Sequence, residues 1–421
     1  MYNSRLEPLR PMTPFISTFR SALLLALLTA GTASATSYVM VQDDDLHRQA
    51  AVVARVEVLT TSQAPTAGTP ATDYIVLVER LLKGDVSGTT IVVRVPGGVR
   101  ADGLALWIDG APAFESGDRA LLFLVPRDDG TYGILHMMLG AFVERRLTGA
   151  PEGRPLAVRQ LEGAVEVGRG GSGLRLARDW DDFESWLADR SAGRLRDRDY
   201  LVPEPSLESP EQFSNLIKYR GNPVRWFEFD DTRKVIWLVG RGSRKAKRAF
   251  RRAINAWNKD PDTCVEYRAK GRTSVTAGHS ASDGVNAIVF DDPNNSIEGT
   301  FSCDGGGVIA AASVWYFLNP PLVQKVPSSK GKGRANVTLE ADIVTNDGAA
   351  CLISGKLKAS EQVFGHELGH TLGLDHACGD DASGSCSTPA KLEALMRATF
   401  HEDGRGAELS AWDRKWLAKL Y

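Results

Sequence analysis

A surplus of charge of one sign is missing from this chain of 421 residues, because 50 basic side chains nearly cancel 52 acidic ones, leaving a formal net charge of -2. Binding to a polyanion draws on a positive field, so neither nucleic acid nor an anionic membrane surface is an expected partner. Cysteine is scarce. The five residues Cys264, Cys303, Cys351, Cys378 and Cys386 all lie in the C-terminal half, and none shows the close C-x-x-C spacing of a zinc–thiolate site. Long apolar runs are absent as well. The run "ALLLALLTA" (Ala22 to Ala30) falls far short of the ~20 residues that a membrane-spanning helix requires.

That short run has another use. Arg5, Arg10 and Arg20 precede it, and "ASA" (Ala33 to Ala35) follows with the small-x-small pattern of a cleavage site, so residues 1–35 read as a secretory signal cut after Ala35. The mature chain is then expected to be secreted or periplasmic, with no stable membrane insertion. Export permits disulfides, and an odd number of cysteines leaves one thiol without an intramolecular partner. A Cys264–Cys303 bridge would close a loop of roughly 40 residues and stabilise by about 4 kcal/mol through chain entropy. The other three cysteines would supply one bridge near the histidines.

From Ala51 to Glu144, β-branched runs such as "AVVARVEVL", "DYIVLVERLL" and "TIVVRVP" are separated by Gly, Pro and Asp, the pattern of an all-β unit, a small barrel or sandwich. His136 in "ILHMM" reads as a packed strand residue. "GRGGSG" (Gly168 to Gly173) lacks the lysine and Ser/Thr of a phosphate-binding loop. A short helix over Asp179 to Arg190 and a stretch with Pro203, Pro205 and Pro210 mark a linker. The expected division is a signal over 1–35, a β domain over 36–170, helix and linker over 171–215, and a second domain over 216–421. In that domain "RKAKRAFRRAINAWN" (Arg244 to Asn258) looks basic, but Ala246, Phe250, Ile254 and Trp257 recur at helical spacing and predict a helix with its charges on the solvated face. The loop Asp291 to Thr300 carries carboxylates and amides able to hold Ca2+, although a plain polar turn has the same composition.

Histidine is rare too, with seven residues, yet three fall in "HELGHTLGLDH". "KASEQVFGHELGHTLGL" predicts a helix capped by Ser360, on which His366 and His370, four apart, project from one face. Glu367 stands beside them, where it can reach water without ligating a metal. Gly373 ends the helix, and His376 can swing back as a third ligand. Three neutral imidazoles with a fourth position open to water suit a catalytic zinc rather than a structural one, with Glu367 as general base.

H-E-x-x-H-x-x-G-x-x-H, followed by Met396 in "EALMRATF", resembles the metzincin clan of zinc endopeptidases, its matrixin-like secreted members in particular. The resemblance covers roughly Tyr219 to Tyr421. It implies one catalytic Zn2+ on His366, His370 and His376, a turn at Met396 beneath the metal, and a substrate-pairing strand at Ile309, Ala310, Ala311 and Ala312. It also implies a closing helix, which "SAWDRKWLAKLY" supplies with its own Ser410 cap. Ala377 stands where matrixins usually carry serine, and no cysteine switch precedes the domain. The expected fold is α+β, a twisted mixed sheet with an active-site helix and a C-terminal helix behind a small β domain. The expected function is a secreted zinc metalloendopeptidase acting on protein or peptide; the alternative is a non-catalytic surface-binding protein with a vestigial zinc site.

Overall fold

The computed structural model describes residues 36–63, 68–146, 153–161, 164–168, 177–202, 215–219, 221–318, 322–327, 333–380 and 383–421. The predicted signal 1–35, most of the Gly-rich loop and the proline-rich stretch 203–214 lie outside the described residues. The architecture is mixed α and β.

The N-terminal half is built from strands whose side chains alternate. In β2 (Val52–Gln63), Val52, Ala54, Val56 and Val58 face one core while Val53 faces another, the period-2 pattern of a pleated strand. β2 pairs with β3 (Ala71–Lys83) and β7 (Arg119–Pro126), β3 pairs with β4 (Thr90–Pro96), and β8 (Tyr132–Ile134) joins both β4 and β7. These five strands therefore close on themselves as a barrel, which leaves none of them as an unpaired edge. The same sheet runs on from β7 through β9 (Ala141–Arg145), β10 (Leu156–Arg159) and β12 (Ala177–Asp179) to β13 (Leu201–Val202). Helix α1 (Asp43–Gln49) and helix α2 (Trp180–Ser191, capped by Asp179) flank it.

The second sheet runs β11 (Ala164–Glu166), β1 (Thr36–Val39), β19 (Gly307–Phe317), β21 (Arg334–Thr345), β18 (Asn286–Val289), β16 (Val235–Val239), β17 (Tyr267–Arg272). At its margins β5 (Gly98–Val99) pairs with β6 (Leu104–Ile108), β14 (Lys218–Tyr219) pairs with β15 (Asn222–Arg225), and β20 (Val323–Lys325) pairs with β21. Strands from both halves of the chain thus share one sheet. β19 explains why its sequence is apolar without alternation: Ile309, Ala312 and Val314 face the helices, while Val308, Ala311 and Trp315 face the core of the N-terminal half.

Among the described residues, five α-helices complete the C-terminal half: α3 (Arg244–Asn258), α4 (Ala350–Ile353), α5 (Leu357–Thr371), α6 (Pro389–Leu392) and α7 (Ala411–Leu420). Helix α3 is capped by Ser243 and buries Ala246, Phe250, Ile254 and Trp257, as its spacing predicts. Among the described residues no helix is long and apolar enough to cross a membrane.

Several expectations are corrected. The disulfides are Cys303–Cys351 and Cys378–Cys386, with Cys264 free, rather than Cys264–Cys303. β19 and β21 form an antiparallel pair, and Cys303 and Cys351 lie just beyond its two adjoining ends. Two disulfides suit an oxidising compartment. Ser360 does not cap α5, which already starts at Leu357 after an N-cap at Lys356; its hydroxyl donates back to the Ile353 and Lys356 carbonyls. His136 is buried, but in a turn with φ of 53° rather than in a strand. Tyr200, placed in the linker by composition, is fully buried and donates to Asp43 at 3.0 Å, so the packed N-terminal half extends to β13.

Candidate metal centre

Helix α5 is held from both sides before it offers any chemistry. Trp257 of α3 donates its indole N–H to the Gly365 carbonyl at 2.8 Å, and Trp226 donates to that of Thr371 at 2.8 Å. The helix ends at Gly373, whose φ of 89° is left-handed and whose α-carbon lies so close to the Val224 carbonyl that a β-carbon would sit 2.1 Å from its oxygen. Only glycine fits there. The chain then turns back through Leu374 to His376, whose carbonyl accepts from the Asn215 side chain at 3.1 Å.

His366, His370 and His376 meet as the spacing predicts. They are the one group of three or more histidine, cysteine or carboxylate side chains among the described residues whose ligand atoms all lie within 4.8 Å of one another. Each ring is oriented through its Nδ1: His366 donates to the Leu395 carbonyl at 2.8 Å, His370 to the Leu374 carbonyl at 2.8 Å, and His376 to the Asp380 carboxylate at 2.6 Å. A carbonyl or carboxylate can only accept, so each Nδ1 carries the proton and each neutral ring turns an Nε2 lone pair inward. The Nε2 of His366 lies 2.8 Å from that of His370 and 3.0 Å from that of His376. Lone pairs at that separation repel unless a cation lies among them. Tetrahedral ligation at about 2.0–2.1 Å would separate the nitrogens by roughly 3.3 Å, so the donor set fits a metal ion.

Burial keeps the His366 and His370 rings neutral. It lowers His366 to about 3, helped by the neighbouring His376, and drives His370 well below the ordinary histidine range. Glu367, fully buried beside them, is pushed the other way: desolvation raises it to about 8, against the opposing pull of the Ser37 hydroxyl and the backbone amides of Ala312 and Ser37. Its Oε1 accepts from Ser37 Oγ at 2.5 Å, while Oε2 makes no hydrogen bond.

Met396 lies beneath the helix. A β-carbon on Gly369 would meet its sulfur at 2.2 Å, so helix and methionine turn pack as closely as glycine permits. That turn is fixed by Asp413 of α7, which accepts from the backbone N–H groups of Leu395 at 2.9 Å, Met396 at 3.2 Å and Ser410 at 2.7 Å. The Leu395 carbonyl is the one that orients His366, so α7 is coupled to the centre through one residue.

Ile309 to Ala312 lie in β19, which runs over α5, but this strand is not a free edge. β1 pairs antiparallel with it, with Thr36 opposite Ala311 and Ser37 opposite Ala310, and β6 continues along the same side from Ser313 to Phe317. The Asp291 to Thr300 loop is a self-satisfied turn in which the Asp292 carboxylate accepts from Ser296 Oγ and the Ile297 N–H. His279 is buried apart from the centre, with Nε2 at 3.2 Å from the Ala311 carbonyl.

Four residues of the site were not singled out for it from sequence: Ser37, Asn215, Asp380 and Asp413. Asp413 was legible only as a helix-cap residue. Asp380, four residues past His376 inside the loop closed by Cys378–Cys386, carries no pattern of its own. No protein-family model matches the chain, and no curated protein matches it either.

Proposed function

We propose that this protein is a secreted zinc-dependent endopeptidase, with His366, His370 and His376 as ligands and Glu367 as general base. The observation that carries the reading is the convergence of three inward lone pairs beside a buried carboxylate that is not needed as a ligand. Bound zinc would supply the Lewis acidity that polarises a scissile carbonyl. Glu367, whose burial raises its proton affinity, takes a proton from the attacking water and returns it to the leaving amine. With β1 displaced, Ile309 to Ala312 would give an extended peptide backbone something to pair with, the general way that a sheet edge holds a chain. Main-chain pairing favours peptide over other hydrolase substrates.

A second reading, a binding protein with a vestigial metal site, draws on the sealing of Glu367 and of the β19 edge by the N-terminal half. The test is zinc content together with casein hydrolysis for the parent and for Glu367→Gln and His370→Ala. The expected result is about one zinc per chain in the parent and in Glu367→Gln, with low but measurable hydrolysis in the parent alone of the three, and loss of both zinc and hydrolysis in His370→Ala. Equal hydrolysis by parent and Glu367→Gln would overturn the role of Glu367.

A further inference from the structure

Glu367 is met by β19 through the Ala312 amide and, on the same side, by a strand from the opposite end of the chain. β1 lies between β19 and β11: it pairs antiparallel with β19 and parallel with β11, with Thr36, Ser37 and Tyr38 opposite Ala164, Val165 and Glu166. β11 is tied in turn to the segment that follows Met396, since the Glu166 N–H donates to the Ala398 carbonyl at 3.1 Å and the Phe400 N–H donates to the Glu166 carbonyl at 2.9 Å. The space between β19 and the 398–400 segment is thus filled by two strands of the N-terminal half. Thr36 and Ser37 are both fully buried.

The Thr36 end of this insertion is anchored. Thr36 Oγ1 donates to the Asp109 carbonyl, and Gly110 approaches so closely that a β-carbon there would lie 2.7 Å from the Thr36 side chain. β6 ends just before Asp109, whose N–H donates to the Ala312 carbonyl at 3.3 Å, so β1 and β6 cover the β19 side end to end. At the reactive point Ser37 Oγ donates to Glu367 Oε1 at 2.5 Å. The hydrogen bond takes one acceptor position of the carboxylate, and the burial of Ser37 and Glu367 together keeps solvent from the rest.

We infer that β1 is an inhibitor in cis: Thr36–Val39 occupies the place of an extended substrate on β19, and Ser37 latches it to the carboxylate that would act as base. This rests on the endopeptidase reading for its consequence, latency, but not for the occupancy itself. A tethered strand competes at an effective concentration of order millimolar, enough to exclude a weak peptide. Activation then requires β1 to leave, and the expected signal cleavage after Ala35 would put the new terminus at the first residue of this strand.

The test uses the full zinc-loaded chain and a fluorescein-labelled synthetic peptide of residues 36–41, acetylated at its N-terminus, as a probe of the β19 edge, read by fluorescence anisotropy. Casein hydrolysis is followed in parallel. Ser37→Ala removes the latch alone, and Ser37→Pro also removes a backbone donor and narrows φ; cooperative thermal unfolding checks that each variant is folded. Loss of one buried hydrogen bond corresponds to a change of about three- to tenfold. The expected result is probe affinity about three- to tenfold tighter in Ser37→Ala than in the parent, with casein hydrolysis rising in step. Tighter probe binding without hydrolysis in any form would uphold the cis-inhibitor and sink the endopeptidase reading. Probe affinity unchanged in every folded variant overturns the inference, whatever casein shows.

Discussion

Two neutral imidazoles with Nε2 atoms 2.8 Å apart form a repulsive contact on their own, and the protein holds it in place by fixing the far nitrogen of each ring. The orienting acceptors should therefore matter to affinity nearly as much as the ligands. Asp380→Ala is expected to weaken zinc binding about 10- to 100-fold, the usual cost of losing such a partner, measured by competition with a chelating dye; unchanged affinity would mean that His376 is held by its backbone alone. Gly369 makes a second prediction at this scale. A methyl group there would overlap the Met396 sulfur and Trp257, all fully buried, so Gly369→Ala should destabilise by about 1–3 kcal/mol as an overpacked core does. Urea unfolding of the zinc-free protein reads this directly, and a stability equal to the parent's would show that the methionine turn can move aside.

Helix α7 is more than the terminal element of the chain, because Asp413 satisfies the N–H groups of Leu395 and Met396 as well as its own cap. Asp413→Ala leaves buried donors unpaired at about 1–3 kcal/mol each, so a loss of at least about 3 kcal/mol is expected in urea unfolding, with Asp413→Asn milder because one acceptor remains. If the two variants were equally mild, solvent would be reaching the turn. Elements such as α3, α5 and α7 were legible in the sequence because a 3.6-residue period, a capping hydroxyl and an H-E-x-x-H spacing are local signals. Closure of the barrel was not, because it depends on β8, three residues long, meeting both β4 and β7. Nor was β1, a four-residue strand whose partners lie more than 120 residues away in sequence and whose own residues follow no period. The expected bridge near the histidines is met by Cys378–Cys386, but the Cys264–Cys303 pairing failed for the same reason as β1: spacing alone does not tell it from Cys303–Cys351 until the β19–β21 pairing brings the flanking segments together.

At the scale of the molecule, the two halves meet along a seam on which His136 sits. Its backbone N–H donates to the Glu298 carbonyl at 2.7 Å, its Nε2 lies 3.0 Å from the Gln49 side chain, and β-carbons on Gly299 and Gly307 would meet its ring at 2.8 and 2.9 Å. Burial lowers this imidazole from 6.5 to about 4, so between those values the unfolded chain binds a proton that the folded one does not. Stability from this group is complete above pH 6.5 and is lost as pH falls toward 4, by about 2–3 kcal/mol between pH 7 and 4.5. Buried acids run the other way: Asp413, raised by burial to about 6, favours the folded state below that value. The overall pH profile therefore cannot isolate His136, but a difference can. Relative to the parent, His136→Gln should flatten the fall in unfolding free energy over pH 7 to 4.5 by about 2–3 kcal/mol, as read by urea titrations at each pH. Parallel profiles would place the imidazole in water rather than in the seam. A flattened profile would show that His136 gains its proton only on unfolding, as its burial in the seam requires.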